Sequence, residues 1–526
     1  MKTKILLLVW ILFIIPSINF AQTNEYNLSN LISFDGEPSM AVNPVNPDNI
    51  ISGWMRLRLD GRMWIATRAS FDGGTSWSTY NFLPHIDTAY NSADVSIAFN
   101  NSGIAYLSYI DVDWSDTTAT VFVTKSLDGG LTWESPVPVF LSSDTPDKPF
   151  DRPWIAVDNS GGSNDGTIYL TAMSLYYDMI YPHHIYLKSS TDGGNTWSNI
   201  KQVDDSLHSV GSLQISWGAV SVGGDGKIYI GYYSYDTSAS PFVRAYVAST
   251  TDFGNSFQYN VVANIFVTAT TDYTNGYSIA ASPSDTGNVI MTWIDDRYGD
   301  ADVVYSLSTN GGINWTYPAR LNDDTAGNGV IQDRIWSYFS SDGKYSAAWR
   351  DRRLNGTGAL VPSDIYLIYS TDGGNSFSQN YRMSDTSATH APLPCCNSFL
   401  GVTINNDYAY AIWGEDRNTD WDIYVNKILV QTTNIQDIKN NNSDILIYPN
   451  PVTSKINIQF YLKEKQQIKI QLFDISGKQQ TTIFNKMYTS GEHTINENLD
   501  YIPTGVYICR LTGKQFISQK LVIIKN

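Results

Sequence analysis

Little in this 526-residue chain could staple a fold or hold a metal. It has three cysteines, so disulfides do not hold the fold together. Its six histidines, the adjacent His183 and His184 among them, show no metal-ligand spacing, and no cofactor is expected. Charged residues make up only 16% of the chain, and basic ones are outnumbered, 34 Lys+Arg against 51 Asp+Glu. Residues 434–526 hold 11 basic against 7 acidic side chains, which leaves 23 against 44 in the other 433 residues. So acidic a body repels phosphate backbones, and nucleic acid is excluded as a partner. Long apolar runs are also lacking. The one that stands out, residues 5–15, is shorter than the ~20 residues that cross a bilayer, so no transmembrane anchor is expected.

That run reads as part of an address. Lys2 and Lys4 precede it, and Pro16, Ser17 and the small Ala21 follow, the pattern of a secretory signal peptide over residues 1–21 with Gln22 first in the mature chain. What the rest has in plenty is aromatics and glycine: 15 Trp, 34 Tyr, 20 Phe and 38 Gly. This composition suits many short strands and tight turns and argues against disorder.

An octapeptide recurs along the body: Ser70-Phe-Asp72-Gly-Gly74-Thr-Ser-Trp77, Ser126-Leu-Asp128-Gly-Gly130-Leu-Thr-Trp133 and Ser190-Thr-Asp192-Gly-Gly194-Asn-Thr-Trp197. Further copies centre on Asp252, Asn310 and Asp372, and successive copies lie 56, 64, 60, 58 and 62 residues apart. A long fixed period signals a repeat architecture. The octapeptide itself has the chemistry of a turn. Asp or Asn caps backbone N–H groups, Gly supplies positive φ, and the aromatic folds back into the core, so these boxes are structural.

Each repeat parses into four strands, for the second 95–99, 104–109, 121–125 and, after the box, 133–139. Four-stranded sheets repeated radially make a propeller. First strands recur near Ser39, Val95, Trp154, Trp217, Ser278, Trp336 and Gly401, so the expectation is an all-β, seven-bladed β-propeller of four-stranded blades over residues 22–430, a monomer. The seventh repeat supplies only three strands and no box. Residues 26–34 are expected to add the missing outer strand, because an open edge would invite strand addition.

The boxes resemble the Asp-box (bacterial neuraminidase) repeats of the sialidase superfamily, across roughly residues 30–430. That superfamily includes sialidases, other glycosidases and non-catalytic propellers, so the resemblance implies the blade rather than an activity. After a polar linker, 431–444, a new strand pattern opens at Ile445-Leu-Ile-Tyr448-Pro449-Asn450-Pro451. It continues through Leu472-Phe-Asp474-Ile-Ser-Gly477-Lys478 and Gly505-Val-Tyr507 to Lys520-Leu-Val-Ile-Ile-Lys525. Residues 445–526 resemble the sorting domain of type IX secretion, a small C-terminal β-sandwich. The resemblance implies engagement of that secretion machinery, removal of the tail, and release or attachment at the outer-membrane surface.

The strand order places every box at the bottom of the ring and puts two families of charged motif at the top. Asp151-Arg152-Pro153-Trp154 and Asp333-Arg334-Ile335-Trp336 open first strands. Trp293-Ile-Asp295-Asp-Arg297, Trp349-Arg-Asp351-Arg-Arg353 and Trp413-Gly-Glu415-Asp-Arg417 close second strands. Five arginines and their carboxylates are thus expected to converge on a polar mouth, where ligands usually bind. A single Asp–Arg pair reads rather as an inter-blade salt bridge, and it is the cluster as a whole that reads as a ligand site. Resemblance to sialidases implies three arginines for a substrate carboxylate, a tyrosine nucleophile with a glutamate, and an aspartate acid. Their first arginine lies in a Phe/Tyr-Arg-Ile-Pro motif in the first blade. This chain reads Glu37-Pro38-Ser39 there, and it has seven blades rather than their six, which argues against an exo-sialidase. Glu415, Asp94, Tyr277 and Tyr338 are the residues that could act at the mouth.

Two further features are ambiguous in sequence. Cys395 and Cys396, just before the seventh blade, are either free thiols or a disulfide between neighbours whose flat face could stack on a sugar. Asp295, Asp296, Asp300 and Asp302 form either a Ca²⁺-chelating loop or a solvated acidic turn. Two functional readings follow: a secreted or surface-attached, sialidase-like propeller that binds or cleaves extracellular glycans or glycoproteins, or an adhesion or protein-binding propeller whose Asp–Arg pairs are purely structural.

Overall fold

The computed structural model describes residues 25–430, apart from 31–33, 86–89, 114–117, 147–149, 175–181, 212–215, 236–242, 267–275, 359–360, 389–398 and 418–420. It also describes residues 446–525, apart from 449, 463, 475–477 and 514–516. The signal peptide, the linker and the Cys395–Cys396 pair lie outside the described residues. The chain divides between residues 430 and 431 into two compact units. Among the described residues there is no helix.

The first unit is built of seven four-stranded antiparallel sheets. Their first strands are Asp35–Asn43, Asn91–Phe99, Phe150–Val157, Ala219–Val222, Tyr277–Ala281, Gln332–Phe339 and Gly401–Ile404. Each packs on the first strand of the next sheet, and the seventh packs on the first, closing a ring with the arrangement of a β-propeller. Second and third strands are nearly all buried: Val289–Asp295 and Asp364–Ser370 are buried at every residue, which is why they read as continuous apolar and small-residue runs. Fourth strands are short, two residues in four sheets. In the second sheet the fourth strand is Val137–Phe140, later than the box tryptophan, because Trp133 still belongs to the turn and donates its indole N–H to Thr67 of the first sheet at 3.0 Å.

The octapeptides close the turns between third and fourth strands and tie neighbouring sheets. Asp72 accepts from the N–H groups of Thr75 and Ser76 at 3.0 and 2.8 Å and from the Ser76 hydroxyl at 2.6 Å. These bonds favour the charged form and hold Asp72 at a pKa of about 2, as they do Asp192 and Asp252. Asp128 and Asp372 are lowered too, with their box bonds outweighing burial, and Asn310 accepts from the Asn314 N–H at 2.9 Å. Gly130, at φ 95°, is required on two counts: its conformation, and a Cβ there would lie 2.7 Å from Ile51 of the preceding sheet. Box carbonyls receive donors from the preceding sheet in the ring. Asn49 bonds Gly129, Lys125 bonds Gly193, Lys227 bonds Gly311, and Lys427 bonds Gly73.

The seventh sheet takes its outer strand from the start of the chain. Tyr26–Asn27 pairs antiparallel with Trp421–Leu429, Tyr26 opposite Val425. Asn27 and Ser29 donate to Asp422 at 2.8 and 2.9 Å, and Glu25 takes the Arg417 guanidinium in a two-pronged pair. The second unit holds a three-stranded and a four-stranded sheet around one apolar core that includes Ile458, Phe460, Ile470, Leu472, Leu511 and Val522.

Candidate functional site at the mouth of the ring

The end of the ring where first strands begin carries the chain's most unusual backbone. Four first strands enter through a non-glycine residue with φ near +50°: Glu37 (50°), Asp94 (55°), Arg152 (49°) and Arg334 (56°). At each, pairing with the second strand slips by a residue, between Gly36 and Ser39, Ala93 and Ser96, Asp151 and Trp154, and Asp333 and Trp336. Such bulges re-aim a side chain, here at the ring axis, and each strained residue costs ~1–3 kcal/mol that the surrounding sheet must offset.

Three of these entries bring carboxyls together from three successive sheets. Asp94 is hydrogen-bonded to the carboxyls of both Glu37 and Asp151, and its Oδ2 accepts the Arg152 N–H at 3.1 Å. The Arg152 guanidinium lies 3.9 Å from Asp151, and both side chains keep some exposure, 18% and 17%. Burial pushes Asp94 up to about 7, and the Glu37 charge adds to the shift. Asp151 is raised well above the usual carboxylate range, first by burial and then by Asp94. Asp94 and Asp151 therefore hold protons between them near neutral pH.

Beneath this cluster lies an aromatic floor. Arg152 sits 4.9 Å over Trp217 and 5.0 Å over Phe399. Trp217 stacks on Tyr277 at 4.3 Å, and Trp154 of the third sheet stacks on Trp336 of the sixth at 4.2 Å, with Phe399 edge-on to both Trp154 and Trp217. Below the Trp154–Trp336 pair an axial cavity of about 150 Å³ continues toward the box side, lined by residues from all seven first strands or their flanks.

The other expected residues go elsewhere. Arg297, Arg353 and Arg417 do not join Arg152; each pairs with the carboxylate two residues before it. Asp295 accepts the Trp293 indole N–H at 2.9 Å and Arg297 Nε and Nη2 at 2.8 and 2.9 Å. Asp351 repeats this with Trp349 at 3.0 Å and Arg353 at 2.8 Å, and Glu415 pairs with Arg417. The guanidiniums stack on aromatics away from the first strands, Arg353 on Tyr366 at 4.2 Å and Arg417 on Tyr424 at 4.1 Å. These Trp-X-acid-X-Arg clamps lock the ends of second strands. Asp333 is likewise structural. It accepts from Arg350 at 2.6 and 2.9 Å and from Arg352 at 3.1 Å, so its ion pairs run to the second strand rather than to Arg334. Although burial opposes it, Arg350 and Arg352 hold its pKa far below the usual range. Arg334 itself is 7% exposed and packs its backbone against Gly276.

Of the residues expected to act at the mouth, only Asp94 stands in the cluster. Tyr277 is fully buried, its hydroxyl donating to the Trp217 carbonyl at 2.7 Å and bonded to Ser216 at 2.8 Å, and burial drives its pKa well up. It is not a free nucleophile. Tyr338 lies near the other end of its strand, beside Ser340, Asp342 and Asn405, with its pKa pushed up by burial to about 12. Glu415 sits in its clamp, raised by burial to about 8 although Arg417 opposes this. The acidic loop separates in the same way. Asp295 faces Arg297, Asp302 faces Arg320 and Asn322 at 2.7 Å each, and Asp300 accepts the N–H groups of Gly327 and Gly329. Among the described residues no three His, Cys, Asp or Glu gather as a metal site. Glu37 was missed. Its signal was the alignment of Gly-Glu37-Pro-Ser and Ala-Asp94-Val-Ser with Asp-Arg152-Pro-Trp and Asp-Arg334-Ile-Trp.

Ring and mouth define an all-β, propeller-type protein with a polar axial site. Residues 446–525 match the secretion system C-terminal sorting domain, which marks the protein for secretion or outer-surface attachment. Similar solved structures include the Hadza microbial sialidase Hz136 (15% identity, 70% of this chain and 74% of that one, TM-score 0.44). Others are the phage phi92 endosialidase (11%, 78% and 69%, 0.43) and a Penicillium chrysogenum alpha-L-arabinanase complexed with arabinobiose (10%, 77% and 98%, 0.42). No curated protein matches the sequence. Among the described residues no helix is long and apolar enough to cross a membrane.

Proposed function

We propose that the first unit is a seven-bladed propeller, exported by its C-terminal β-sandwich, that takes an extracellular glycan at the mouth formed by Glu37, Asp94, Asp151, Arg152 and Arg334. The observation that carries this reading is the contact of Glu37, Asp94 and Asp151 beside a partly exposed guanidinium. A fold gains nothing from pressing three carboxyls together on strained residues, and perturbed groups of this kind gather at functional sites. The aromatic floor supplies faces for sugar rings, and Arg152 supplies donors for hydroxyls. Asp94, with a pKa of about 7, is suited to deliver a proton to a glycosidic oxygen.

A glycan array and a panel of fluorogenic glycosides, run with the wild type and with Asp94→Asn, test it. Binding by both proteins with turnover by the wild type alone supports a hydrolase with Asp94 as its acid. Equal binding without turnover supports a lectin. No response to any glycan supports the second reading, an adhesion propeller, which the purely structural clamps on Arg297, Arg353 and Arg417 favour.

A further inference from the structure

Three second strands end in a tryptophan, an acid and an arginine at alternate positions, and in the first sheet those positions read Trp54, Arg56 and Arg58. The acid is missing. Asp35, opposite Arg56 on the first strand, stands in for it: Asp35 accepts the Trp54 indole N–H at 2.8 Å and lies 3.6 Å from the buried Arg56 guanidinium. No acid is left for Arg58. It is exposed in the connection 58–62, beyond the second strand, at the end of the ring where first strands begin. The one carboxylate of that connection, Asp60, accepts from Arg62 at 2.9 Å and from the Trp64 indole at 3.2 Å. Among the described residues no carboxylate pairs with the Arg58 guanidinium. It is nevertheless held as its counterparts are. Arg58 lies 4.7 Å from Trp64 and 4.5 Å from Phe82, two rings set edge to face, much as Arg353 lies on Tyr366 and Arg417 on Tyr424.

We propose that this hairpin is a second ligand site, separate from the Glu37–Asp94–Asp151 cluster, at which Arg58 takes the carboxylate of a uronic acid unit in an extracellular polysaccharide. In the fifth, sixth and seventh sheets a guanidinium at this position closes on a carboxylate, so in the first sheet a carboxylate from outside completes the set. A guanidinium already stacked on rings loses little freedom on binding, and its planar fork matches a carboxylate. What shares the face with Arg58 favours a sugar over a peptide. Side chains alternate along a strand, and Arg56 stands opposite Trp64 and Leu57 opposite Met63. Arg58, Arg62 and Trp64 therefore lie on one face of the hairpin, and Leu57, Leu59 and Met63 on the other. The carboxylate meets guanidiniums and aromatic rings, while the exposed Leu57 and Leu59 are turned away from it. The turn is an exposed ridge rather than a pocket, so it meets units along a chain instead of enclosing a terminal sugar. An acidic body repels such a polyanion elsewhere, which leaves the contact dependent on Arg58.

The test is calorimetric titration of the protein at neutral pH and physiological salt with three probes: hexagalacturonate, its methyl ester and hexaglutamate. Hexagalacturonate should bind, and the ester, which keeps the rings and hides the charges, should bind at least about tenfold more weakly. Arg58→Gln should lose the same factor with an unchanged melting midpoint, since the side chain is exposed. Arg58→Lys, which keeps the charge without the fork, should recover only part of it. No heat from hexagalacturonate overturns the inference, and so does binding that survives Arg58→Gln. Hexaglutamate binding as tightly as hexagalacturonate reassigns the hairpin to an acidic peptide and overturns it as well. Loss of hexagalacturonate binding in Arg152→Ala but not in Arg58→Gln puts the carboxylate at the mouth, which overturns the inference and leaves the glycan reading standing. Binding through Arg58 beside a glycan array that is otherwise silent upholds the inference and overturns the reading of the mouth.

Discussion

Replacing Asp333 by Ala removes the carboxylate on which two buried guanidiniums close. Arg350 is 8% exposed and Arg352 1%, and between them they donate three hydrogen bonds to Asp333 at 2.6–3.1 Å. Once it is gone both cations stay in the same place with little water to receive them. Breaking a buried pair from one side typically costs ~3–5 kcal/mol, because the stranded charge keeps its desolvation penalty. Over residues 25–430, an unfolding entropy of about 2.1 cal/mol/K per residue makes each kcal/mol worth ~1.2 °C, so the melting midpoint should fall by about 4–6 °C. Differential scanning calorimetry on the ring checks this. A midpoint within ~1 °C of the wild type would show that Arg350 and Arg352 find other partners and that Asp333 is no structural anchor.

Three other outcomes are expected. Stability should be greatest near pH 4–5 and fall toward pH 8. Asp35, Asp94, Asp302 and Glu415 bind protons more tightly folded than unfolded, with values of about 7, 7, 6 and 8, so their contribution is present below the unfolded carboxylate range and lost as they ionise. The box aspartates near 2 act in the opposite sense, only below pH 4; a midpoint that rises from pH 5 to 8 contradicts these assignments. Deleting residues 25–30 removes the strand on Trp421–Leu429 and the pair with Arg417, and should give aggregation or a broad transition by light scattering and calorimetry. Deleting residues 446–525 should leave the ring inside the cell, and mass spectrometry of exported wild type should find that segment missing.

Much of the ring could be read in the sequence because its signals are local. Ser70, Asp72, Gly74 and Ser76 bond one another within seven residues, so the box betrays its turn wherever it occurs. The three-stranded seventh repeat likewise announced that the start of the chain must complete it. The site was less legible, since its contacts join Glu37, Asp94 and Asp151 across more than a hundred residues. Sequence placed Arg152 and Arg353 in similar-looking Asp–Arg motifs. What separates them is the residue two before the acid: a tryptophan, as at Trp349, whose indole N–H fixes the carboxylate and draws the arginine into the blade. Arg152 has no such tryptophan and enters on a left-handed residue, which turns it to the axis.

That difference offers the sharpest test of whether mouth and scaffold are separate. Arg152→Ala and Arg353→Ala are compared for melting midpoint and for binding to whichever glycan the wild type retains. The account predicts that Arg152→Ala melts within ~1 °C of the wild type and loses at least tenfold in affinity, as removal of a charge-assisted hydrogen bond implies. Arg353→Ala should melt several degrees lower and bind as before. Arg152→Ala with a lowered midpoint and undiminished glycan binding would contradict the assignment of the mouth as the site.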